Sequence, residues 1–376
     1  MQQPRKEDRM QRKGPIKALM PYKPDYTSWM IAALVIIAII FIGFYLFQFP
    51  QKTDNPPIPT IAATSTPTLA PSPTPTRAVS IEPSEEPVPT LIRKEYSKCG
   101  EISSSMVLQN DIVSDGTCFT VKSEDVTIDC NGFRLSGKGK ENSSAVISQY
   151  PGTVVKNCYI SDFELGVRFD SADSSSVEAS EFANNAGGVL AQLSKGIKIT
   201  GSQFYNNTEG GIILYSVSDS EISDNFADNS KKYGIQLVGS VGNIIQGNQL
   251  YRNNYGLQVS NSNNNIIKAN NVSYNSAGIK VTSRSRGNTI EGNYVYSNKG
   301  VGLHVLDSFE TVIFGNTVIG NEYGINVLGT VNVIEGNFVC GNSIIDFYCE
   351  TPQNSTGNTC TQRTTVCGFN CARMCP

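Results

Sequence analysis

Ten times between Ile128 and Asn337 an apolar residue stands three positions before a small polar one, and the residue after next is usually apolar again. The polar positions are Asn131, Cys158, Ser180, Ser202, Asn225, Asn248, Asn270, Asn293, Asn316 and Asn337, with spacings of 27, 22, 22, 23, 23, 22, 23, 23 and 21. A second mark keeps the same period, a Gly followed by an aliphatic: Gly166-Val167, Gly188-Val189, Gly211-Ile212, Gly234-Ile235, Gly256-Leu257, Gly278-Ile279, Gly302-Leu303 and Gly324-Ile325. Two independent marks at one period predict a solenoid. The unit lacks the frame of a leucine-rich repeat and is too short for a helix pair. Its short runs alternate apolar and polar, as in Leu303-His304-Val305, and they end at Asn or Gly, which is strand-and-turn chemistry. Three short strands and three turns fill about 22 residues at roughly 3.3 Å per residue. The fold is therefore predicted to be all-β, a parallel β-helix of about ten coils of 22 or 23 residues.

The Asn positions then have a physical purpose. Stacked coil on coil, their amides both donate to and accept from the next amide, a ladder at a turn. A second Asn column follows five residues later, at Asn185, Asn207, Asn253, Asn275, Asn298, Asn321 and Asn342. Asn also tolerates the left-handed backbone that tight turns need.

The chain ahead of the repeat has a different composition. Residues 1–28 carry seven basic and three acidic side chains, a net of +4, so with −3 overall the remainder carries −7. Residues 29–49 hold no charge and are long enough to cross a bilayer, with Trp29 and Tyr45 near the ends. The basic flank predicts a cytoplasmic amino terminus, a signal-anchor helix through the lipid bilayer, and an outer face for everything that follows. A cleaved signal peptide is the rival, but it calls for a shorter apolar run closed by small residues, and Gln48-Phe49-Pro50 follows this one. Eleven of the eighteen prolines fall between Pro50 and Pro89, among many Thr and Ser, so 50–97 reads as an extended, disordered stalk open to O-glycosylation. The solenoid with its amino-terminal cap is expected over 98–350, and a Cys-rich cap over 351–376.

All ten cysteines lie after the apolar segment and gather at the two ends of the repeat: Cys99, Cys118, Cys130 and Cys158, then Cys340, Cys349, Cys360, Cys367, Cys371 and Cys375. Solenoid ends expose core and unpaired strand edges, and even-numbered Cys groups there predict disulfides in an oxidising compartment. The tail spacing also admits a zinc site, but no His is near it, so no metal site is expected. Sequons at Asn142, Asn206, Asn271 and Asn354 suit an exported glycoprotein.

Candidate chemistry comes from the residue after each Gly-aliphatic pair, which must point outward: Arg168, Leu190, Ile213, Gln236, Gln258, Lys280, His304 and Asn326. From Gln236 to Asn326 this is a polar stripe containing the only His of the chain. A further outward column holds Tyr205, Tyr251 and Tyr296. Aromatic rings with amide and basic donors suit an extended sugar polymer. The plainer reading is a solvated sheet face, since outward residues on any exposed strand are polar. For a lyase or epimerase, Lys280, Arg284, His304 and Asp307 are the first candidates, with Ca²⁺ as the possible cofactor of a lyase and no other cofactor expected. A hydrolase needs a carboxylate pair, and the carboxylates are scattered. Lys268 and Glu291, one coil apart, suggest a surface ion pair.

The segments CGEISSSMVLQNDIVSDGTCFTVKSEDVTIDCNGFRLSG, VVKNCYISDFELGV and NTIEGNYVYSNKGVGLHV, with the tail GNSIIDFYCETPQNSTGNTC, resemble the right-handed parallel β-helix proteins of the pectin-lyase-like superfamily. The likeness is to its NosD-type and "carbohydrate-binding and sugar hydrolase" repeats, over about Cys99 to Cys375. It implies carbohydrate contact and supplies no catalytic residues, because no lyase or epimerase acidic motif matches. The NosD branch is linked to copper delivery, to which one His and few Met are poorly suited. The function expected is a membrane-anchored surface protein that binds or processes an extracellular polysaccharide as lyase, epimerase or glycoside hydrolase. The alternative is a non-enzymatic adhesion or spacer module. Nucleic acid is not an expected partner of an acidic outer region, and oligomeric state is left open.

Overall fold

The structure, a computed structural model, describes residues 94–361 and 367–376. The basic tail, the apolar segment 29–49 and the stalk as far as residue 93 lie outside the described residues. What is described is all strand and turn: two sheets of thirteen strands and one of twelve, every pair parallel. One turn of the solenoid runs through a short strand such as Glu221–Ser223, a second short strand such as Phe226–Asp228, and a long strand such as Tyr233–Val238. The next turn begins at Ile244–Gln246, directly beside Glu221–Ser223. The solenoid has about twelve turns rather than ten, roughly 55–60 Å at one strand spacing per turn. Its first strand, Lys94–Tyr96, already pairs with Met106–Leu108. At the other end Asn354–Thr356, Thr359–Cys360 and Arg373–Met374 extend the short-strand sheets into the tail.

Alternation fixes which side chains enter the core. In the three-residue strands of the central turns the middle residue points inward, giving the column Ile199, Ile222, Ile245, Ile267, Ile290, Ile313 and Ile334 on one wall, all fully buried. Each long strand sends two aliphatics inward, as Ile279 and Val281 do. The recurrent Gly before the first of these follows from a close approach. An added Cβ at Gly278 would stand 2.3 Å from the Gly302 carbonyl oxygen and 2.8 Å from Val295 Cγ1.

Every corner is bound by a side-chain ladder. Asn270 accepts from the N–H of Asn248 and donates through Nδ2 to Asn293 Oδ1 and the Ile245 carbonyl, at 2.9–3.0 Å. The pattern continues to Asn358. At its amino end Ser180 and Ser202 serve the same place, each hydroxyl accepting the N–H of the coil before. Asn131 is not a rung: it is exposed at φ 52°, and the ladder starts instead at the Cys130–Cys158 disulfide. The second column stacks as expected and ends on the buried carboxylate of Asp346, which accepts from Asn342 Nδ2 at 2.8 Å. A third ladder through Ser220, Asn243, Asn265 and Asn288 was not legible as a column.

Five disulfides join all ten cysteines, each within its own end group: 99–118 and 130–158, then 340–375, 349–367 and 360–371. The disulfides expected from the Cys clusters are therefore present, and Phe369 packs edge-on against Phe347 at 5.2 Å. Such a density of disulfides belongs to an oxidising compartment. None of the described elements is a helix able to cross a membrane.

Candidate functional site

The long strands carry the outward stripe. Register places Arg168, Leu190, Ile213, Gln236, Gln258, Lys280, His304 and Asn326 side by side, one per coil. Although they point away from the core, Ile213 and Gln236 keep only 6% and 8% of their surface, so this face is a shallow, well-packed floor. Its margin is aromatic: Tyr233 and Tyr255 stack at 5.8 Å. Along the floor Gln236 Nε2 donates to Gln258 Oε1 at 3.2 Å, and the Lys280 ammonium lies 5.2 Å from the centre of the Tyr255 ring. At the far end His304 Nε2 and Asn326 Oδ1 are covered yet have no partner in the protein. Burial first, then the neighbouring Lys280 ammonium, push the His304 imidazole down to about 4, so it is neutral at neutral pH.

The four catalytic candidates do not form one cluster. Lys280 and His304 are strand neighbours on the stripe. Arg284 and Asp307 sit beyond the strand ends on the exposed corner, linked by a backbone bond from the Arg284 N–H to the Asp307 carbonyl at 2.7 Å. From Tyr233–Val238 through Tyr323–Leu328 the outward positions of the long strands hold no Asp or Glu, so the carboxylate pair of a glycoside hydrolase is not on this stretch. Lys268 and Glu291 are register partners but form no ion pair. Cross-coil pairs occur elsewhere, among them Arg252–Asp228 and Arg286–Glu310.

Tyr205, Tyr251 and Tyr296 do share an outward column, with Asp228 and Ser273 between them. That column belongs to the second short-strand sheet, so these rings and the stripe occupy two faces of the solenoid. Tyr205 donates its hydroxyl to Gln203. Burial, then Glu181 and Asp228, raise its pKa. Sequence reasoning passed over Tyr274, which stands between Tyr251 and Tyr296 at 5.1 and 5.8 Å. Tyr274 lies one residue past that column, whose place in its coil Ser273 takes, so the coil period alone does not mark it.

The model of the family described as "Periplasmic copper-binding protein (NosD)" matches residues 108–301, just over half of the chain. The chain belongs to the NosD family. No curated protein matches this NosD-family chain. Among solved structures it is similar to a variant of the periplasmic alginate epimerase AlgG, at 16% identity and TM-score 0.55, over 68% of this chain and 78% of that one. The mannuronan C-5 epimerase AlgE6 A-module of Azotobacter vinelandii is 14% identical at TM-score 0.52, over 69% and 91%. The catalytic domain of a GH87 α-1,3-glucanase in complex with tetrasaccharides is 12% identical at TM-score 0.59, over 71% and 63%. At these identities the likeness establishes the fold alone, a parallel β-helix.

The family description implies copper, and the donors do not fit it. Copper sites draw on His, Cys thiolate and Met. The chain has one His, every Cys is in a disulfide, and Met106 is sealed in the core. Among the described residues no three of His, Cys, Asp and Glu come together.

Proposed function

We propose that this NosD-family chain is an exported, membrane-anchored protein whose long-strand face binds an extracellular polysaccharide without cleaving it. The observation that carries this reading is the stripe's unused hydrogen-bonding capacity. His304 Nε2 and Asn326 Oδ1 are shielded from solvent, and a buried polar atom without a partner costs about 1–3 kcal/mol unless something supplies one. Sugar hydroxyls both donate and accept, and a chain of them running along the solenoid meets Gln258, Lys280, His304 and Asn326 at one-coil intervals. The fold shared with polysaccharide epimerases and a glucanase supports a carbohydrate partner. Binding is favoured over catalysis because a His held near 4 is a poor base at neutral pH, and because this stretch of the face lacks a carboxylate pair. The apolar segment 29–49 would anchor the chain in the lipid bilayer, and residues 50–93 would link it to the solenoid.

The test is a panel of neutral and acidic polysaccharides, with and without Ca²⁺, against the oxidised full chain. Binding is read by affinity electrophoresis, and soluble products by mass spectrometry. The reading expects retention by at least one polymer, weakened by Lys280→Ala and His304→Ala in variants with wild-type melting, and no new oligosaccharides. Oligosaccharide products would make the protein an enzyme. Retention by no polymer would reject the reading in favour of a spacer.

A further inference from the structure

One corner of the solenoid carries residues its backbone does not favour. Just before the second Asn ladder, each coil passes through the left-handed region, at Asn184, Asn206, Asn229, Arg252, Tyr274, Ser297, Gly320 and Gly341, with φ between 53° and 66°. Asn, Ser and Gly accept that conformation readily, whereas a long or bulky side chain there is strained. Two adjacent coils depart from the rule, with Arg252 and Tyr274. These are the side chains that build a groove of about 610 Å³ on the corner. The Arg252 guanidinium lies 4.6 Å from the Tyr251 ring centre and is fixed on both oxygens of Asp228. Tyr274, 48% exposed, stands edge-on between Tyr251 and Tyr296.

The groove is also positively charged on an otherwise acidic protein. Lys231 and Lys299 flank it, both exposed and neither in an ion pair among the described residues; of the nearby carboxylates, Asp228 is paired with Arg252, and Glu322 follows Lys299 one coil on, outside the groove lining. The two lysines follow the same ladder column three coils apart, roughly 14 Å at one strand spacing per coil. That is too far to clamp one phosphate or sulfate, and it matches an extended chain bearing repeated negative charge. Tyrosine rings between the cations give such a chain apolar faces on which to rest.

We propose that the Tyr251–Tyr274–Tyr296 corner, with Lys231 and Lys299, is a second binding site, specific for an anionic polysaccharide of uronate or sulfated sugars. It lies on a different face from the long-strand stripe and does not depend on it. The strained Tyr274 is kept for contact with that ligand. A single-stranded nucleic acid is the competing polyanion, and the oligonucleotide arm of the experiment tells the two apart.

The experiment uses the oxidised full chain and measures affinity for polygalacturonate, alginate, hyaluronan, heparan sulfate and a ten-nucleotide oligothymidylate. The comparator is fully methyl-esterified polygalacturonate. Three variants accompany wild type: Tyr274→Asn, the pair Lys231→Gln with Lys299→Gln, and the control Lys198→Gln, an exposed lysine on the short strand Lys198–Thr200, outside both the groove and the stripe. Asn is the residue this column uses in three other coils, so Tyr274→Asn is expected to fold and melt no lower than wild type. At least one acidic glycan is expected to bind in a salt-sensitive manner, with the esterified polymer roughly tenfold weaker or more. Tyr274→Asn and the double lysine variant are each expected to lose roughly tenfold, and Lys198→Gln to bind as wild type. No binding to any acidic glycan, equal binding of the esterified polymer, tighter binding of the oligonucleotide, or unchanged affinity in both groove variants would each overturn the proposal. An equal loss in Lys198→Gln would overturn it as well, since general surface charge rather than the groove would then hold the polymer.

Discussion

Asn270→Ala isolates what one rung of the ladder contributes. Asn270 is 1% exposed, and its amide accepts the Asn248 N–H and Nδ2–H at 3.0 Å while donating to Asn293 Oδ1 and the Ile245 carbonyl. Truncation leaves the partners unequal. Asn248 Nδ2 keeps the Ile222 carbonyl at 2.9 Å, and Asn293 Oδ1 keeps the Asn270 N–H at 3.0 Å. The Asn248 N–H loses its acceptor and has no route to water. One orphaned buried donor costs about 1–3 kcal/mol, and the void left by the amide adds about 1 kcal/mol. Asn270→Ala should therefore destabilise by about 2–4 kcal/mol. Asn270→Ser should recover roughly half of that, because a serine hydroxyl at this place accepts the N–H of the preceding coil, as Ser180 does for Cys158 at 3.1 Å. The assay is urea unfolding followed by far-ultraviolet circular dichroism, with hydrogen exchange at Asn248 as the local readout. Equal stability of the Ala and Ser variants, or a loss below about 1 kcal/mol for Ala, would refute the reasoning.

Three further outcomes follow from the same geometry. Gly278→Ala drives a methyl group into the Gly302 carbonyl and should lower stability by about 1–3 kcal/mol in thermal melts, with coil spacing disturbed locally. His304 has a folded pKa near 4, below its ordinary 6.5, so the unfolded chain binds the extra proton between those values. Stability should thus fall as pH drops from about 6.5 towards 4, and His304→Gln should flatten that part of a melting-temperature profile. The Cys130–Cys158 bridge closes a loop of 28 residues at the start of the first ladder. Cys130→Ala with Cys158→Ser should cost about 3–4 kcal/mol in chemical denaturation and expose the first coils to protease before the central ones.

How much of this was legible in the sequence depended on whether chemistry repeated in phase. Asn225 to Asn337 and the Gly-aliphatic pairs could be read because one residue type served one place in every coil. The first turns escaped the count because Ile102, Leu108, Ile112 and Phe119 fill the core there without any Asn rung to mark the period. The third ladder was hidden for a related reason. An N–H needs only an oxygen, and Thr153, Ser175, Ser220, Asn243, Thr311 and Asn332 share one column without sharing an identity. The outward direction of the stripe from Gln236 to Asn326 was legible because alternation alone decides it. That Tyr251 and Tyr296 face away from the stripe was not accessible, since sequence phase does not say which corner separates two columns. Tyr274 was missed because a left-handed corner position is the last place to expect a bulky ring.

The most direct test of the glycan-binding account is hydrogen–deuterium exchange of the oxidised full chain, alone and saturated with the polysaccharide selected by the panel. The account predicts slowed exchange in the long strands between Tyr233 and Leu328, and on the corner from Asn229 to Lys299 when the polymer is acidic, with the disulfide-bonded caps unchanged. Protection confined to the caps, or none at all under saturation, would contradict it.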